Sequence, residues 1–273
     1  MPELPEVETI VRTFRPRLEG RRICAFASRW PKNVRPSLPQ VRRALVQRTI
    51  TRLTRRAKFI VFHLDDGAHL LIHLRMSGRF EWAAEHDREP PHVRATLDLD
   101  DNNRLLFCDA RKFGRIIYTR DLASATADLG PEPLDRRFTV SVLNDLLRSR
   151  RRQLKPLLLD QSLIAGLGNI YTDETLFQAR LHPAVRSDQL SHAQIRRLHQ
   201  AIRQVLRLAI RRHGTSIDWI YPGGWMQERL RVYGRTGEPC HRCGTPIAAL
   251  RISQRGTHIC PRCQKMNGRR STA

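Results

Sequence analysis

The sequence predicts an α+β protein: an N-terminal antiparallel β-sandwich with a flanking helix, then a helical lobe carrying a C-terminal β-hairpin. Three observations predict it. Short apolar runs separated by turn residues fill the first half, helical apolar spacing fills most of the second, and two Cys-x-x-Cys pairs stand near the end. A chain of 273 residues and 31.7 kDa suits two domains.

In order, Pro5 to about Arg15 carries Val7, Ile10, Val11 and Phe14 at helical spacing, with Pro5 suited to a first turn and Pro16 bending or ending the helix. Strand-like runs follow at Arg22–Ala27, Ala44–Leu53, Phe59–Leu64, His69–Leu74, Ala95–Leu99, Arg104–Cys108 and Gly114–Tyr118. Asp65-Asp66-Gly67 and Asp101-Asn102-Asn103 read as hairpin turns between them. Near Leu129-Gly130-Pro131-Glu132-Pro133 the character changes. Val140–Ser149, Lys155–Asp160, Asn169–Gln178 and Ser191–His213 are helical, the last with Ser191 as N-cap and Gly214 as its stop. An aromatic and glycine-bearing loop, Thr215–Tyr233, leads to the hairpin.

Charge narrows the function. Forty-nine Lys+Arg against 26 Asp+Glu give +23 and a pI near 11.3, and most of the basic residues are arginine. Arginine forks match phosphate oxygens, so a polyphosphate partner explains the excess better than a merely solvated surface. No stretch approaches ~18 consecutive apolar residues and no charged-then-apolar leader opens the chain, so the expectation is a cytoplasmic protein with no membrane partner.

Four of six cysteines fall as Cys240-x-x-Cys243 and Cys260-x-x-Cys263. In a cytosolic setting this reads as a tetrahedral four-thiolate zinc site, one structural Zn2+, with a redox disulfide pair as the alternative. Cys24 and Cys108 read as reduced core thiols.

Several segments carry candidate chemistry. The chain opens Met1-Pro2-Glu3, and trimming of methionine before proline would free a secondary amine. An α-amino group has a pKa of ~7.7–8, so much of it is a neutral nucleophile at working pH. Attack on a sugar aldehyde carbon would give an iminium, an electron sink for elimination. Glu3 and Glu6 sit where a helix start favours carboxylates, and they are also candidates for general acid and base. Gly166-Leu167-Gly168-Asn169, with Asn169 as N-cap, makes an anion site ahead of a helix, and with Lys155 suggests a helix–turn–helix gripping a DNA backbone. Arg255-Gly256 lies at the expected hairpin tip. Met76 and Phe113 stand near strand ends beside arginines, as core residues or as wedges for a base stack.

Together these segments resemble the bacterial formamidopyrimidine-DNA glycosylase family. The resemblance rests on Met1-Pro2-Glu3-Leu4-Pro5-Glu6-Val7-Glu8-Thr9, Arg56-Ala57-Lys58-Phe59, His73 to Gly78, Asp109 to Gly114, Leu129 to Pro133, Gly166 to Tyr171, Val232-Tyr233-Gly234-Arg235 and the cysteine hairpin, in the family's order. It runs from Pro2 to about Lys265 and implies three regions: a β-sandwich catalytic domain (1–133), a helix–two-turn–helix DNA-binding domain (134–235) and a zinc-finger hairpin (236–266). It implies a bifunctional glycosylase and abasic-site lyase, monomeric on damaged double-stranded DNA, that excises oxidised purines and nicks the strand by β,δ-elimination. By position, Pro2 matches the Schiff-base nucleophile and Glu3 the acid that assists sugar opening. Lys58 matches the proton donor in β-elimination and Arg255 that in δ-elimination. Met76, Arg111 and Phe113 match residues that fill the hole left by the flipped nucleotide. Lys155 and Asn169 match phosphate grips; His92 and Arg150 fall where the family also contacts DNA.

The loop Thr215–Arg231 is shorter than the family's, and Gly223-Gly224-Trp225-Met226 stands where Gly-Tyr-Phe is expected as the cap on 8-oxoguanine. Two alternatives therefore stand: an endonuclease VIII-like glycosylase for oxidised pyrimidines, and a non-catalytic zinc DNA-binding protein.

Overall fold

The computed structural model describes residues 1–216 and 223–266. It forms two compact units, one from Met1–Ala127 with His213–Gly224, the other from Asp128–Arg212 and the chain from Trp225 onward. These units are not contiguous in sequence.

The first unit opens with α1 (Leu4–Leu18). Glu3 is its N-cap, and Glu6 at N3 turns its carboxylate back so that Glu3 N donates to Oε2 at 2.7 Å, a capping box. Pro16 does not end this helix, which continues to Leu18. Only the bond to the Arg12 carbonyl is forgone so close to the C-terminus, while Leu18 is fully buried. β1 (Ile23–Ser28), β2 (Val34–Arg35), α2 (Leu38–Leu45), β3 (Ile50–Arg56), β4 (Phe59–Leu64), β5 (His69–His73), β6 (Gly78–Ala84), β7 (Val93–Leu99), β8 (Asn103–Asp109), β9 (Arg115–Thr119) and α3 (Leu122–Ala125) follow.

The strands form two sheets, β1-β7-β8-β6 and β2-β9-β5-β4-β3; all pairs are antiparallel except β2 with β9. Phe62 of one sheet and Phe107 of the other both meet Phe80 edge-on, at 6.3 and 6.0 Å between centroids. Phe14 of α1 adds a third edge at 5.8 Å, so one aromatic cluster joins helix and both sheets. The expected sandwich is there.

Two elements differ from expectation. Ala44–Leu53 is not one strand: Ser37 and Pro39 start α2, which buries Val41 and Leu45 four residues apart, and the strand begins at Ile50, after Gln47 with φ 66°. β6 was not foreseen, because its alternation is carried by Phe80 and Trp82 between charged residues; the register with β8 from Gly78↔Asp109 to Ala84↔Asn103 makes it a strand. Cys24, expected in the core, is exposed because β1 turns it outward; Cys108 is buried.

The second unit holds α4 (Val140–Arg148), α5 (Leu154–Leu159), α6 (Asn169–Ala179), α7 (His192–Arg211), and the antiparallel hairpin β10 (Ala248–Ile252) and β11 (Arg255–Ile259). α7 starts with the predicted Ser191 cap, completed by Gln194 as a capping box. α6 is buried on nearly every face, including Thr172, Asp173, Glu174 and Thr175. Buried polar groups need partners. Those of Asp173 and Glu174 set the site described next. No described helix is long and apolar enough to cross a membrane.

Candidate active site and nucleic-acid interface

The chain start is built around Glu6. Pro2 is buried, Glu3 is 2% exposed and Glu6 is fully buried, whereas Met1 is exposed and accessible to trimming. Glu6 Oε2 accepts from Glu3 N, and Oε1 accepts from Thr215 N at 2.8 Å. One carboxylate thus ties the N-terminus to the segment after α7. Gly214 permits this: it sits at φ +79°, and a Cβ there would lie 2.7 Å from Glu6 Oε1. Glu6, read above as a possible acid or base, is a positioning residue, both its oxygens being engaged by backbone amides.

Lys58 is 4% exposed in the β3–β4 turn, after Ala57 at φ 53°. Near it His73 ends β5, its ring edge-on to Phe59 at 4.8 Å and its Nδ1 accepting from Arg75 N at 3.0 Å. Burial first, then the charges of Arg75, Lys58 and Arg115, push the His73 pKa down to about 3. The ring is therefore neutral in the fold at working pH. Because the unfolded histidine titrates near 6.5, the unfolded state binds the extra proton between pH 6.5 and 3, and stability falls as pH falls through that window. At pH 5 this group alone costs about 2 kcal/mol. His73→Gln is expected to flatten the drop in melting temperature between pH 7 and pH 5, measured by thermal denaturation at the two pH values.

Met76, Arg111 and Phe113 come together although they lie in two loops. Met76 (41%) and Phe113 (51%) are exposed; Arg111 Nη1 reaches Met76 Sδ at 3.2 Å, and its guanidinium lies 4.8 Å from the Phe113 ring centroid. Buried Asp109 organises both loops. Its Oδ1 accepts from Ser77 Oγ and its Oδ2 from Gly114 N at 2.7 Å, while Ser77 Oγ accepts from Arg111 N at 3.1 Å. Two exposed apolar side chains thus flank an arginine on a rigid base, and neither Met76 nor Phe113 is core. His92 is exposed at the start of β7, in left-handed backbone (φ 68°), its carbonyl held by Asp109 N at 3.0 Å.

In the second unit the hairpin is stapled to α6. Lys155 and Asp173 are both 0% exposed, Nζ to Oδ1 2.6 Å. Lys155 Nζ and Asn169 Nδ2 also donate to the Gly256 carbonyl, at 2.8 and 3.0 Å, and Asp173 Oδ2 accepts from His258 N at 2.9 Å. Arg255, exposed as the first residue of β11, is thereby presented from a fixed backbone. Two expectations need correction here. Lys155 is not a surface grip for DNA, because its ammonium is sealed against Asp173; it positions the residue next to Arg255. Asn169 is not the cap either: Gly168 is, and Asn169 opens α6 with its amide turned to the hairpin. Arg150 has an exposed side chain, while its carbonyl takes bonds from Ser187 Oγ and Arg152 N.

Sequence reasoning missed Asp173 and Glu174. Glu174 Oε1 collects the backbone N–H groups of Arg231, Val232 and Tyr233 at 2.9–3.0 Å, fixing the Val-Tyr-Gly-Arg segment. Burial nevertheless pushes its pKa up, against those three hydrogen bonds. The available signal was two adjacent acids inside a helix otherwise reading as buried.

Cys240, Cys243, Cys260 and Cys263 bring their sulfurs within 4.8 Å of one another, with Cys243–Cys260 at 3.5 Å and Cys263–Cys243 at 3.6 Å. Tetrahedral zinc with bonds of ~2.3 Å needs sulfurs roughly 3.8 Å apart, so the set fits. Backbone amides of Arg242 and Cys263 point at Cys240 and Cys260 Sγ, each at 3.4 Å, the knuckle arrangement of a thiolate site. Four protein ligands leave no open position, so the one zinc ion is structural. Trp225 is 57% exposed, its N donating to Arg212 O at 2.8 Å. Positions 217–222 of the shortened loop lie outside the described residues.

Fold and site together define a DNA repair glycosylase with abasic-site lyase activity, built on a β-sandwich and a zinc hairpin. Three family profiles cover the chain: the formamidopyrimidine-DNA glycosylase N-terminal domain over residues 1–116, its H2TH domain over 129–220, and the zinc finger found in FPG and IleRS over 237–265. The formamidopyrimidine-DNA glycosylase of Chloroflexus aurantiacus is 46% identical, over 97% of this chain and 98% of that one; that of Protochlamydia amoebophila is 40% identical, over 97% and 100%. Among solved structures, MutM in complex with DNA containing carbocyclic 8-oxo-G superposes with TM-score 0.92 at 37% identity. The Lactococcus lactis Fpg complex with abasic-site DNA gives 0.91 at 36%, and a Lactococcus mutant complex with Fapy-dG DNA gives 0.92 at 37%; all three cover 97% of this chain and 100% of the other. The chain belongs to the formamidopyrimidine-DNA glycosylase family.

Proposed function

We propose that this glycosylase excises formamidopyrimidines and 8-oxoguanine from duplex DNA through a Schiff base on Pro2 and then cuts on both sides of the sugar. The observation that carries the reading is the chain start, where Pro2 and Glu3 are buried together on a helix end locked by Glu6. That geometry holds a nucleophile against an acid and has no use in a simple binding module. The relatives' complexes with 8-oxo-G, Fapy-dG and abasic DNA support the substrate class.

With Met1 trimmed, the Pro2 nitrogen attacks C1′, the glycosidic bond breaks and the base leaves with a proton. Glu3 protonates O4′ as the sugar opens, leaving an iminium. Loss of the C2′ proton expels the 3′ phosphate, with Lys58 as proton donor. Loss of the C4′ proton expels the 5′ phosphate, with Arg255 as proton donor, and water releases the sugar fragment from Pro2. Met76, Arg111 and Phe113 fill the gap left by the flipped nucleotide. Asn169, His92 and Arg150 serve the DNA backbone, Lys155 acting behind them as a positioning residue. The enzyme works in the cytoplasm, on nucleoid DNA.

The products test this. On a duplex with one 8-oxoguanine opposite cytosine, the reading expects a one-nucleotide gap with phosphate at both ends, resolved on a denaturing gel. A product ending in an unsaturated 3′ aldehyde would remove Arg255 from its role. An uncut strand would leave only binding.

A further inference from the structure

A polar cavity of about 430 Å3 lies in the first unit beside Phe113. Trp30, Lys32, Asn33, Arg35, Lys112 and Arg115 line it, and none of the described lining residues is acidic. Phe113 also lines it, so one wall of the cavity is a member of the exposed wedge. The Lys112 and Lys32 ammonium groups stand 4.5 and 5.7 Å from the Trp30 ring centroid, so one indole gathers two positive charges. Arg35 is anchored by its Nη1 bonds to the Lys32 and Val34 carbonyls, at 2.9 and 3.1 Å, which fixes the turn. Asn33 is 7% exposed, and its Nδ2 is buried with no acceptor among the described residues. A buried amide without an acceptor is satisfied when a ligand supplies one. Four cations, a buried donor without an acceptor and no carboxylate define a site for a phosphate oxygen.

We propose that this cavity binds a phosphodiester of the undamaged DNA strand, the strand carrying the base that the wedge probes. The inference rests on the wedge reading of Met76, Arg111 and Phe113. In that reading Lys58 and Arg255 serve the phosphates on either side of the lesion. The neighbours of Phe113 then face the other strand, whose backbone is the phosphate source within reach. Trp30 packs against the adjoining sugar, while Lys32, Lys112 and Asn33 Nδ2 meet the phosphate.

The test is equilibrium binding of a duplex containing a tetrahydrofuran site opposite cytosine, against salt, for the full chain and the Lys32→Gln/Lys112→Gln double variant. Each lost phosphate contact lowers the slope of log K against log salt by about 0.9, so the double variant, which loses its hold on this one phosphate, should lose about 0.9. Borohydride trapping at saturating enzyme should be unchanged. Asn33→Asp, which replaces the donor by a carboxylate, should weaken binding in the same way; if it fails to fold, the lysine pair still decides. A scan of neutral methylphosphonates along the undamaged strand locates the group: one position should weaken the native protein and leave the double variant indifferent. An unchanged salt slope, or a scan with no sensitive position, overturns the site. Sensitivity confined to the lesion strand overturns the strand assignment. Binding of a deoxynucleoside 5′-monophosphate without any sensitive strand position would make the cavity a free-nucleotide site, and also overturns it. Loss of trapping by the native protein would instead defeat the underlying lyase reading.

Discussion

Lys155→Met is expected to cost the second unit about 3–5 kcal/mol of stability, because it strands the fully buried Asp173 carboxylate beside an apolar side chain. It also removes a donor from the Gly256 carbonyl, leaving Asn169 Nδ2 to hold the turn that presents Arg255. The effect therefore has two readouts. Urea denaturation should show the midpoint falling, and strand cleavage by the surviving folded fraction should stall after the first elimination. The paired variant Lys155→Met/Asp173→Leu should recover much of the stability, since apolar replacement of a whole buried ion pair is often neutral. It should not recover the second cut, because the link from α6 to His258 is lost as well. A Lys155→Met protein as stable as the native one would mean that the buried pair contributes little to the hairpin's attachment.

The second large effect concerns Glu3. Glutamine retains an acceptor for the capping box at the start of α1 but cannot donate a proton as a carboxylic acid, so Glu3→Gln should fold normally. Removing a positioned general acid typically costs 10²–10⁴ in rate. Single-turnover release of 8-oxoguanine should fall by about that factor, with the dissociation constant for the same duplex moving only a few fold. Opening of a preformed abasic sugar, already an aldehyde in part, should suffer less. Equal loss of binding and rate would recast Glu3 as a purely structural cap.

Much of this was legible in the sequence, and the reasons for the rest are physical. The α7 cap, the two hairpin turns and the four-cysteine cluster depend on local chemistry, so residue type and spacing carry them. Met76, Arg111 and Phe113 were legible as candidates in two loops, but their convergence depends on Asp109, whose role as a buried acceptor has no sequence mark. Lys155 was misread because a lysine in a basic chain reads as surface charge; only Asp173, eighteen positions later on another helix, reverses its meaning. The run Ala44–Leu53 begins too early because Ala44 and Leu45, the end of α2, are as apolar as the residues that follow, and the positive φ at Gln47 that divides them is a backbone fact. Glu6 looked like a reagent and proved a brace, which depends on Thr215, more than two hundred positions away.

The central claim is that the Pro2 nitrogen, freed of Met1, is the nucleophile. Borohydride trapping tests it most directly, on two duplexes, one with 8-oxoguanine opposite cytosine and one with an abasic site, using two preparations of the protein. One has the proline amine free and the other keeps it blocked by a retained N-terminal residue. The account predicts a covalent adduct on both duplexes with the free amine, mapping to Pro2 by peptide mass, and none on either with the blocked form, although that form still binds the abasic duplex. An adduct of equal yield from the blocked protein would place the nucleophile elsewhere and contradict the account.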